Sequence, residues 1–554
     1  MSPSVILGVS LVTFVVSLAL GWAVACCTTR QLEPMLRWTR RLAPHRWLVL
    51  SLLGGLAAGV AAGVSLLRPP LPRGADEFSY LLAADTFAHG RLTNPTHPQW
   101  RHFETFHVIQ QPTYATKYPP AQGLILALGK VLGGTPNLGL WLSAGLAAIA
   151  AGWMLQGWMP GRWALLGGLL VALHPKIQLA WSQTYWGGDM AFAGGALLLG
   201  AYPRIVRDRR WHDALLMGLG LAMLANSRPY EGLAVSLPIA GAMLMWLWGH
   251  RRPAWDAVAL RIVLPLGAVL LGTAAWMAWY NLRVTGDPLK MPYAVHEATY
   301  GCTPPFLWRT PGPIPEYRHE VIRRLHVEVL RAAYEIQQSW SGLLRVKGTE
   351  LLIVWQFFLG IGLTIPLAGL CRVPLRRLWV PLATLLAGLA ALVMTTWANP
   401  HYFAPAAPAL LLLVMQGLRH WTAGARQREH SRSTFVRALV LAQLLSFPAL
   451  AWFHITSPPH PFAAARAGLQ AQLERVPGPH LVIVKYSPTH NPNEEWVYNE
   501  ADIDGSAVVW ARRMGWGADG RLCQYFAGRR IWLLMADETP PRLTPHPPPN
   551  GFPP

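Results

Sequence analysis

The chain reads as a polytopic α-helical membrane protein of about twelve spans, closed by a small α/β domain outside the membrane. Three observations predict this. First, its 554 residues are 52% hydrophobic and only 13% charged, whereas soluble proteins carry about 25% charged residues. Second, 27 tryptophans and 48 prolines suit a chain with many membrane interfaces and membrane helices. Third, the arginines gather in short loops between apolar runs. Arg30, Arg37, Arg40, Arg41 and Arg46 follow the first run, and Arg204, Arg207, Arg209 and Arg210 the fifth. Arg251 and Arg252 follow the seventh, Arg372, Arg376 and Arg377 the ninth, and Arg419, Arg426, Arg428 and Arg432 the eleventh. Threaded alternately, all five loops fall on one side, which the positive-inside rule makes cytoplasmic.

The predicted spans lie near 4–27, 47–67, 136–158, 163–182, 188–205, 211–228, 232–249, 258–280, 350–370, 378–397, 401–418 and 434–454. They divide the chain into two spans over 1–67, an external loop over 68–135, spans over 136–280, a second external loop over 281–349, and spans over 350–454. In the first loop the run Ala121 to Leu132 is too short to cross a bilayer and reads as an interfacial helix. In the second, Glu316 to Arg345 reads as one amphipathic surface helix. From 455 to 537 the style changes. Leu481 to Val484, Ala507 to Trp510 and Ile531 to Leu534 are strand-like, with a helix-like stretch from Leu522 to Ala527, and together they suggest a small parallel α/β unit. Segment 538–554 is proline-rich and reads as disordered.

The net charge of +20 does not point to nucleic acid, because no basic stripe interleaved with exposed aromatics accompanies it. Five cysteines, Cys26, Cys27, Cys302, Cys371 and Cys523, have no metal-ligand spacing.

Polar clusters mark the outer ends of the spans. Asp76-Glu77 follows the second span at the head of a new apolar pattern. Lys117-Tyr118-Pro119-Pro120, Trp186-Gly187-Gly188-Asp189, Arg228-Pro229-Tyr230-Glu231 and Asn399-Pro400-His401-Tyr402 stand on the same face. A carboxylate at a membrane face is a candidate general base, and a lysine ahead of a rigid Pro-Pro suits a phosphate. Each cluster also has a structural alternative. Asp76-Glu77 could be an acidic helix start, as could Asp189. Lys117 could be a snorkelling lysine, Arg228 and Glu231 an i,i+3 pair, and His401 an interfacial ring.

The Asp-Glu pair after an early span, followed by the segment Lys117-Tyr-Pro-Pro-Ala-Gln-Gly-Leu-Ile-Leu-Ala-Leu-Gly-Lys-Val-Leu-Gly133, resembles the GT-C glycosyltransferase superfamily. Within it the likeness is to the protein O-mannosyltransferase and aminoarabinose transferase branch. It covers roughly 70–455 and extends to Asp189 and to His401-Tyr402-Phe403-Ala404-Pro405.

The resemblance implies a membrane-embedded polyprenyl-phosphate sugar donor and an acceptor hydroxyl on a glycan, lipid or protein. It makes Asp76 the base, with Glu77 beside it near the acceptor. Lys117 and Arg228 would hold the donor phosphate, with Tyr118, Glu231, His401 and Tyr402 also at the substrate. Asp189 would be a second acid near the donor or a divalent metal ion, for which Asp76 and Asp189 are the candidate ligands. The C-terminal unit departs from the usual external domain of either enzyme.

The expected setting is the bacterial cytoplasmic membrane, with the site facing outward. The rival reading is a transporter or flippase of lipid-linked intermediates, which would carry its polar groups and broken helices near the bilayer midplane. A third is a non-catalytic envelope assembly protein.

Overall fold

The computed structural model describes residues 41–249, 252–422 and 429–546, with Val15, Leu18 and Ala19 of the first predicted span. The side chains of 422 and 429–436 are outside this description. The rest of span 4–27, Cys26 and Cys27, the arginines at 30, 37, 40, 251, 426 and 428, and segment 547–554 also lie outside the described residues.

Helix α1, Arg46–Leu67, forms over an apolar run. It stops at Arg68, which is extended because a proline follows it. Helix α2, Ala75–Ala88, starts with Asp76 and Glu77 in its first turn, where the helix dipole favours acids. Next comes a small antiparallel sheet of β1 (Asn94–Pro95), β2 (Val108–Ile109) and β3 (Thr113–Thr116), in the order β1-β3-β2. Helix α3 covers Pro120–Gly133 and α4 Pro136–Trp158. Both start with proline, whose missing N–H costs nothing in a first turn.

Helix α5, Gly161–Ala172, is followed by a π turn over Ile177–Trp181. Helices α6 (Gly188–Asp208), α7 (Trp211–Ala225), α8 (Pro229–Trp248) and α9 (Trp255–Thr285) come next. Helices α6 and α7 meet backbone to backbone. A Cβ on Gly194 would stand 3.0 Å from the Gly220 carbonyl oxygen, and one on Gly220 would stand 2.8 Å from that of Gly194. Only small residues allow such an approach, and it supplies packing where lipid gives no hydrophobic drive between helices.

Helix α10 (Pro292–Tyr300) lies in the long connection that follows α9. Helices α11 (Trp340–Phe358), α12 (Leu375–Met394), α13 (Ala407–Thr422) and α14 (Glu429–Thr456) return to the bundle. Among the described residues seven helices are long and apolar enough to cross a bilayer, or eight with one bent pair. The spans expected at 188–205, 211–228 and 401–418 are helical but fall outside that set. The span expected at 350–370 bends by 86° between Phe358 and Gly360. Gly360 sits there at φ +52°, a conformation that ends a right-handed helix. The single amphipathic helix expected over Glu316 to Arg345 is in fact several pieces. It starts at Glu320, stops at Ile336, and restarts as α11 where the Ser339 hydroxyl accepts from the Gly342 N–H at 3.1 Å.

After α14 the chain forms α15 (Pro461–Glu474), β4 (His480–Lys485), β5 (Val508–Arg512), α16 (Trp516–Tyr525), β6 (Arg530–Met535) and β7 (Arg542–Pro545). The sheet order is β5-β4-β6-β7. Strand β4 runs parallel to both β5 and β6, while β7 is antiparallel to β6. Strand β7 corrects the expectation of disorder from 538 onward. Arg542-Leu543-Thr544 adds an edge strand, the place where a terminal proline is tolerated.

This unit does not fold around a private core. Trp496, Trp510, Leu481, Ile483 and Val509 join Phe78 and Leu82 of α2, and Phe103, Val108 and Tyr114 of the first loop, in one buried cluster. The Tyr498 ring stacks on Phe78 at 4.4 Å, two residues from Asp76. Asp85 of α2 accepts from the Ala501 N–H at 2.7 Å. The unit therefore holds the back of the helix that begins with the acidic pair.

Candidate functional site

The site is assembled by the hairpin β2–β3. Val108 pairs with Thr116, so the residues flanking the ladder, His107 and Lys117, lie side by side, and the Lys117 N–H donates to the His107 carbonyl at 3.1 Å. Ser79, on the second turn of α2, donates to the same carbonyl at 2.7 Å, and its hydroxyl lies 2.6 Å from that of Thr116. His107 holds φ +62°. A non-glycine residue adopts this only when its surroundings impose it, and such positions cluster at functional sites. The hairpin is thus fastened to the helix that carries Asp76.

Asp76 is the exposed member of the acidic pair, its side chain 36% accessible. The Tyr118 hydroxyl donates to its Oδ1, and His107 Nε2 stands 3.7 Å from the same oxygen. Among the described residues no protein group is bonded to Oδ2, which leaves that oxygen for a substrate. Tyr80 stacks behind Tyr118 at 4.6 Å. Burial, then the Asp76 charge, pushes the Tyr118 phenol well up and keeps it a proton donor. Burial and the neighbouring Lys117 push the His107 imidazole well down, so it is neutral.

Lys117 lies in the field of this carboxylate, and a second cation, Arg228, shares its neighbours Tyr293, His401 and Tyr402. Lys117 is buried, its Nζ 4.9 Å from the centre of the Tyr293 ring, 5.4 Å from that of Tyr118 and 4.0 Å from Glu297 Oε1. Burial pulls its ammonium down, against the opposing charges of Glu297 and Asp76. Arg228, just ahead of α8, lays its guanidinium over the Tyr402 ring at 4.2 Å. His401 is buried between Tyr402 at 4.8 Å and Trp186 at 5.2 Å. The field of Asp76 reaches Lys117, Tyr293, His401 and Tyr402, and that of Arg228 reaches Tyr80, Tyr293 and His401. Asp76, Lys117, Tyr118, Arg228, His401 and Tyr402, scattered over three hundred positions of sequence, thus form one charged, aromatic-walled cluster.

Other expected residues stand elsewhere. Glu77 lies behind Asp76 in the first turn of α2. It is fully buried, and its two oxygens accept the N–H groups of Arg73 at 3.0 Å and Tyr185 at 3.2 Å. Its task is to bind the 183–187 loop to α2. Asp189 is buried at the start of α6 with Ser182 Oγ at 3.5 Å as its hydrogen-bond partner, and it shares no contact with the Asp76 cluster. Glu231 is buried within the field of Arg228 but forms no ion pair with it, because the guanidinium is stacked on Tyr402 instead.

The candidate metal pair Asp76 and Asp189 does not fit a metal. The two acids have separate partners, and no group of three His, Cys, Asp or Glu that could hold an ion occurs among the described residues. His107, Tyr80, Tyr293, Glu297 and Arg73, the last over the Trp186 ring at 5.6 Å, were not apparent from sequence. No motif marks them. Only Arg73, three residues ahead of Asp76, carried a positional hint.

Burial raises the Glu77 carboxyl from 4.5 to about 7, outweighing its two N–H bonds. The native state therefore binds a proton there that the unfolded chain releases between pH 4.5 and 7. Stability from this group is full below pH 4.5 and falls as pH rises to about 7, a change of roughly 3 kcal/mol. Thermal unfolding of the purified protein across pH 4.5–7.5 should show that decline in the wild type and a flatter profile in Glu77→Gln. Parallel profiles would contradict it.

No protein-family model matches the chain, and no curated protein matches it. Solved structures do. ArnT from Cupriavidus metallidurans bound to undecaprenyl phosphate superposes with a TM-score of 0.55 at 15% identity, over 89% of this chain and 93% of that one. ArnT from the same organism in the apo state gives 0.54 at 14% identity, over 92% and 94%. The likeness covers about nine tenths of the chain and is one of fold: the protein shares the fold of these two ArnT structures.

Proposed function

We propose that the chain is an integral-membrane, inverting glycosyltransferase that moves a sugar from a polyprenyl-phosphate donor to an acceptor hydroxyl at the outer face of a bacterial cytoplasmic membrane. The observation that carries this reading is the junction of three features. A carboxylate, Asp76, acts on the cation Lys117 and shares the neighbours Tyr293, His401 and Tyr402 with the cation Arg228. Close to both cations in sequence is the lining of an apolar cavity of about 690 Å³. The cavity is lined by Ala121, Leu124, Leu146, Met190 and Asn226 among others, and the Asn226 carbonyl accepts from the Ala121 N–H at 2.9 Å. Its polar end is therefore four residues from Lys117 and two from Arg228. Such a site suits an anionic headgroup joined to a long apolar chain. The ArnT structure that shares the fold holds a ligand of this kind, undecaprenyl phosphate.

The chemistry follows from the residues. The acceptor oxygen attacks the anomeric carbon, and its proton passes to Asp76 Oδ2 while the Tyr118 hydroxyl holds Oδ1. The bond from the anomeric carbon to the phosphate oxygen breaks, and the polyprenyl phosphate leaves with its added negative charge. Lys117 and Arg228 are placed to stabilise that charge, and burial away from water strengthens the effect. A transporter reading finds less support, because the charged cluster sits at the ends of α2, α8 and α13, not at mid-helix.

Lys117→Ala and Arg228→Ala should each weaken binding of a polyprenyl-phosphate sugar about tenfold or more. Binding to the purified protein in nanodiscs measures it. Unchanged affinity in both variants would overturn the phosphate role.

A further inference from the structure

A second cavity, of about 360 Å³, lies at the far ends of the helices that carry the site. Helix α4 has Asn137, bonded to Tyr185 Oη at 2.7 Å, in its first turn and Trp158 in its last. Helix α12 starts with Arg376 and Arg377 and runs to Ala391, whose carbonyl faces the Tyr230 hydroxyl at 3.4 Å. Helix α13 starts five residues beyond Tyr402 and carries Arg419 and His420 in its last turn. The 23 residues of α4 span about 34 Å, close to the thickness of a bilayer's apolar core. The second cavity therefore lies about one bilayer core away from the Asp76 cluster.

Its lining is basic and aromatic. Arg376, Arg377, Arg419 and His420 contribute, and no carboxylate does. Among the described residues Arg376 and Arg377 form no ion pair, and both are exposed. They stand in the first turn of α12, where the dipole already disfavours positive charge. An anion here would offset both. Gln416 is buried to 8% exposure, with Nε2 3.5 Å from the Trp158 carbonyl and Oε1 unpartnered. The amide can present either end to a ligand. Trp158, Tyr202 and Trp379 wall the cavity, the residue types that stand at membrane interfaces.

We propose that this cavity binds the phosphodiester headgroup of an anionic phospholipid in the leaflet opposite the Asp76 cluster. Guanidinium forks match phosphate oxygens in pairs. Basic pockets between membrane helices on the arginine-rich side hold lipid headgroups of this kind. Leu375, next to Arg376, and Leu386 further along α12 are exposed apolar residues, so an acyl chain has a surface to follow. A free anion would gain nothing from that surface. The headgroup would tie α12 and α13 to α4 and α6 at the end remote from chemistry, and so brace the bundle without touching the donor.

The test uses the full chain in nanodiscs of phosphatidylcholine with and without phosphatidylglycerol, and native mass spectrometry to count retained lipid. One phosphatidylglycerol per chain should be retained and should raise the unfolding temperature. In Arg376→Gln/Arg377→Gln its affinity should fall roughly fivefold per arginine removed. Both substitutions are at exposed side chains, so folding is preserved. Arg261→Gln, at an exposed arginine on the same face outside the cavity, should change nothing. Equal retention in the double variant and the wild type would overturn the proposal. So would displacement of the lipid by millimolar inorganic phosphate with the same stabilisation, which would mark a free-anion site.

Discussion

Asp76→Asn should lower sugar transfer about 10²–10⁴-fold while expression and donor affinity stay close to the wild type. The asparagine keeps the shape of the side chain and an oxygen for the Tyr118 hydroxyl. It loses the basic oxygen that no protein group engages. The proposed donor contacts are those of Lys117 and Arg228, which the substitution leaves in place. Steady-state transfer and donor binding, measured on one preparation, separate the two effects. A variant with near-normal turnover would remove Asp76 from the reaction, and one with lost donor binding would make it a binding group.

The largest effect on stability is expected at Arg512, the last residue of edge strand β5 in the C-terminal sheet. Its side chain is almost fully buried, bonds Glu495 Oε2, and donates through Nε to the Glu104 carbonyl at 2.6 Å. Glu495 Oε1 accepts from the Tyr486 hydroxyl and from the Val497 N–H. Arg512→Ala would leave the Glu495 carboxylate buried without its counter-ion, at a cost of about 3–5 kcal/mol. Replacing both partners, as in Arg512→Met/Glu495→Leu, should be less damaging than the single change, because no orphan charge remains.

The chain has several units, so no single unfolding free energy describes it. Protease protection of segment 455–546 against temperature reads the local effect. Transfer should fall along with protection, because Tyr498 and Ala501 hold α2 through Phe78 and Asp85. Unchanged protection in Arg512→Ala would show that the pair does not hold the unit together.

Much of the bundle was legible because lipid imposes a simple rule. Runs such as Trp47 to Leu67 and Pro136 to Trp158 must be helical, and their ends fall where Arg68-Pro69 and Met159-Pro160 stop them. The three strand-like runs of the tail were legible from their β-branched residues, and they became β4, β5 and β6. The hairpin β2–β3 was not. Two-residue strands such as Val108–Ile109 have no period to detect, and their hairpin is fastened by Ser79 from α2.

That hairpin is what brings His107 beside Asp76, so the histidine had no sequence signal at all. Acids were overread for a related reason. Asp76, Glu77 and Asp189 all stand at helix starts, yet only burial tells them apart. Asp76 is partly open, while the other two are buried. Arg228 and Tyr402 were each marked, but their stacking is a tertiary fact.

The most direct test of the central claim is a single-turnover assay with purified full chain in nanodiscs and a radiolabelled polyprenyl-phosphate sugar. The account predicts that polyprenyl phosphate is released, that the sugar reaches an acceptor hydroxyl with inverted anomeric configuration, and that Asp76→Asn abolishes both. Donor that binds and crosses the bilayer uncleaved, equally in wild type and Asp76→Asn, would contradict it and make the chain a transporter.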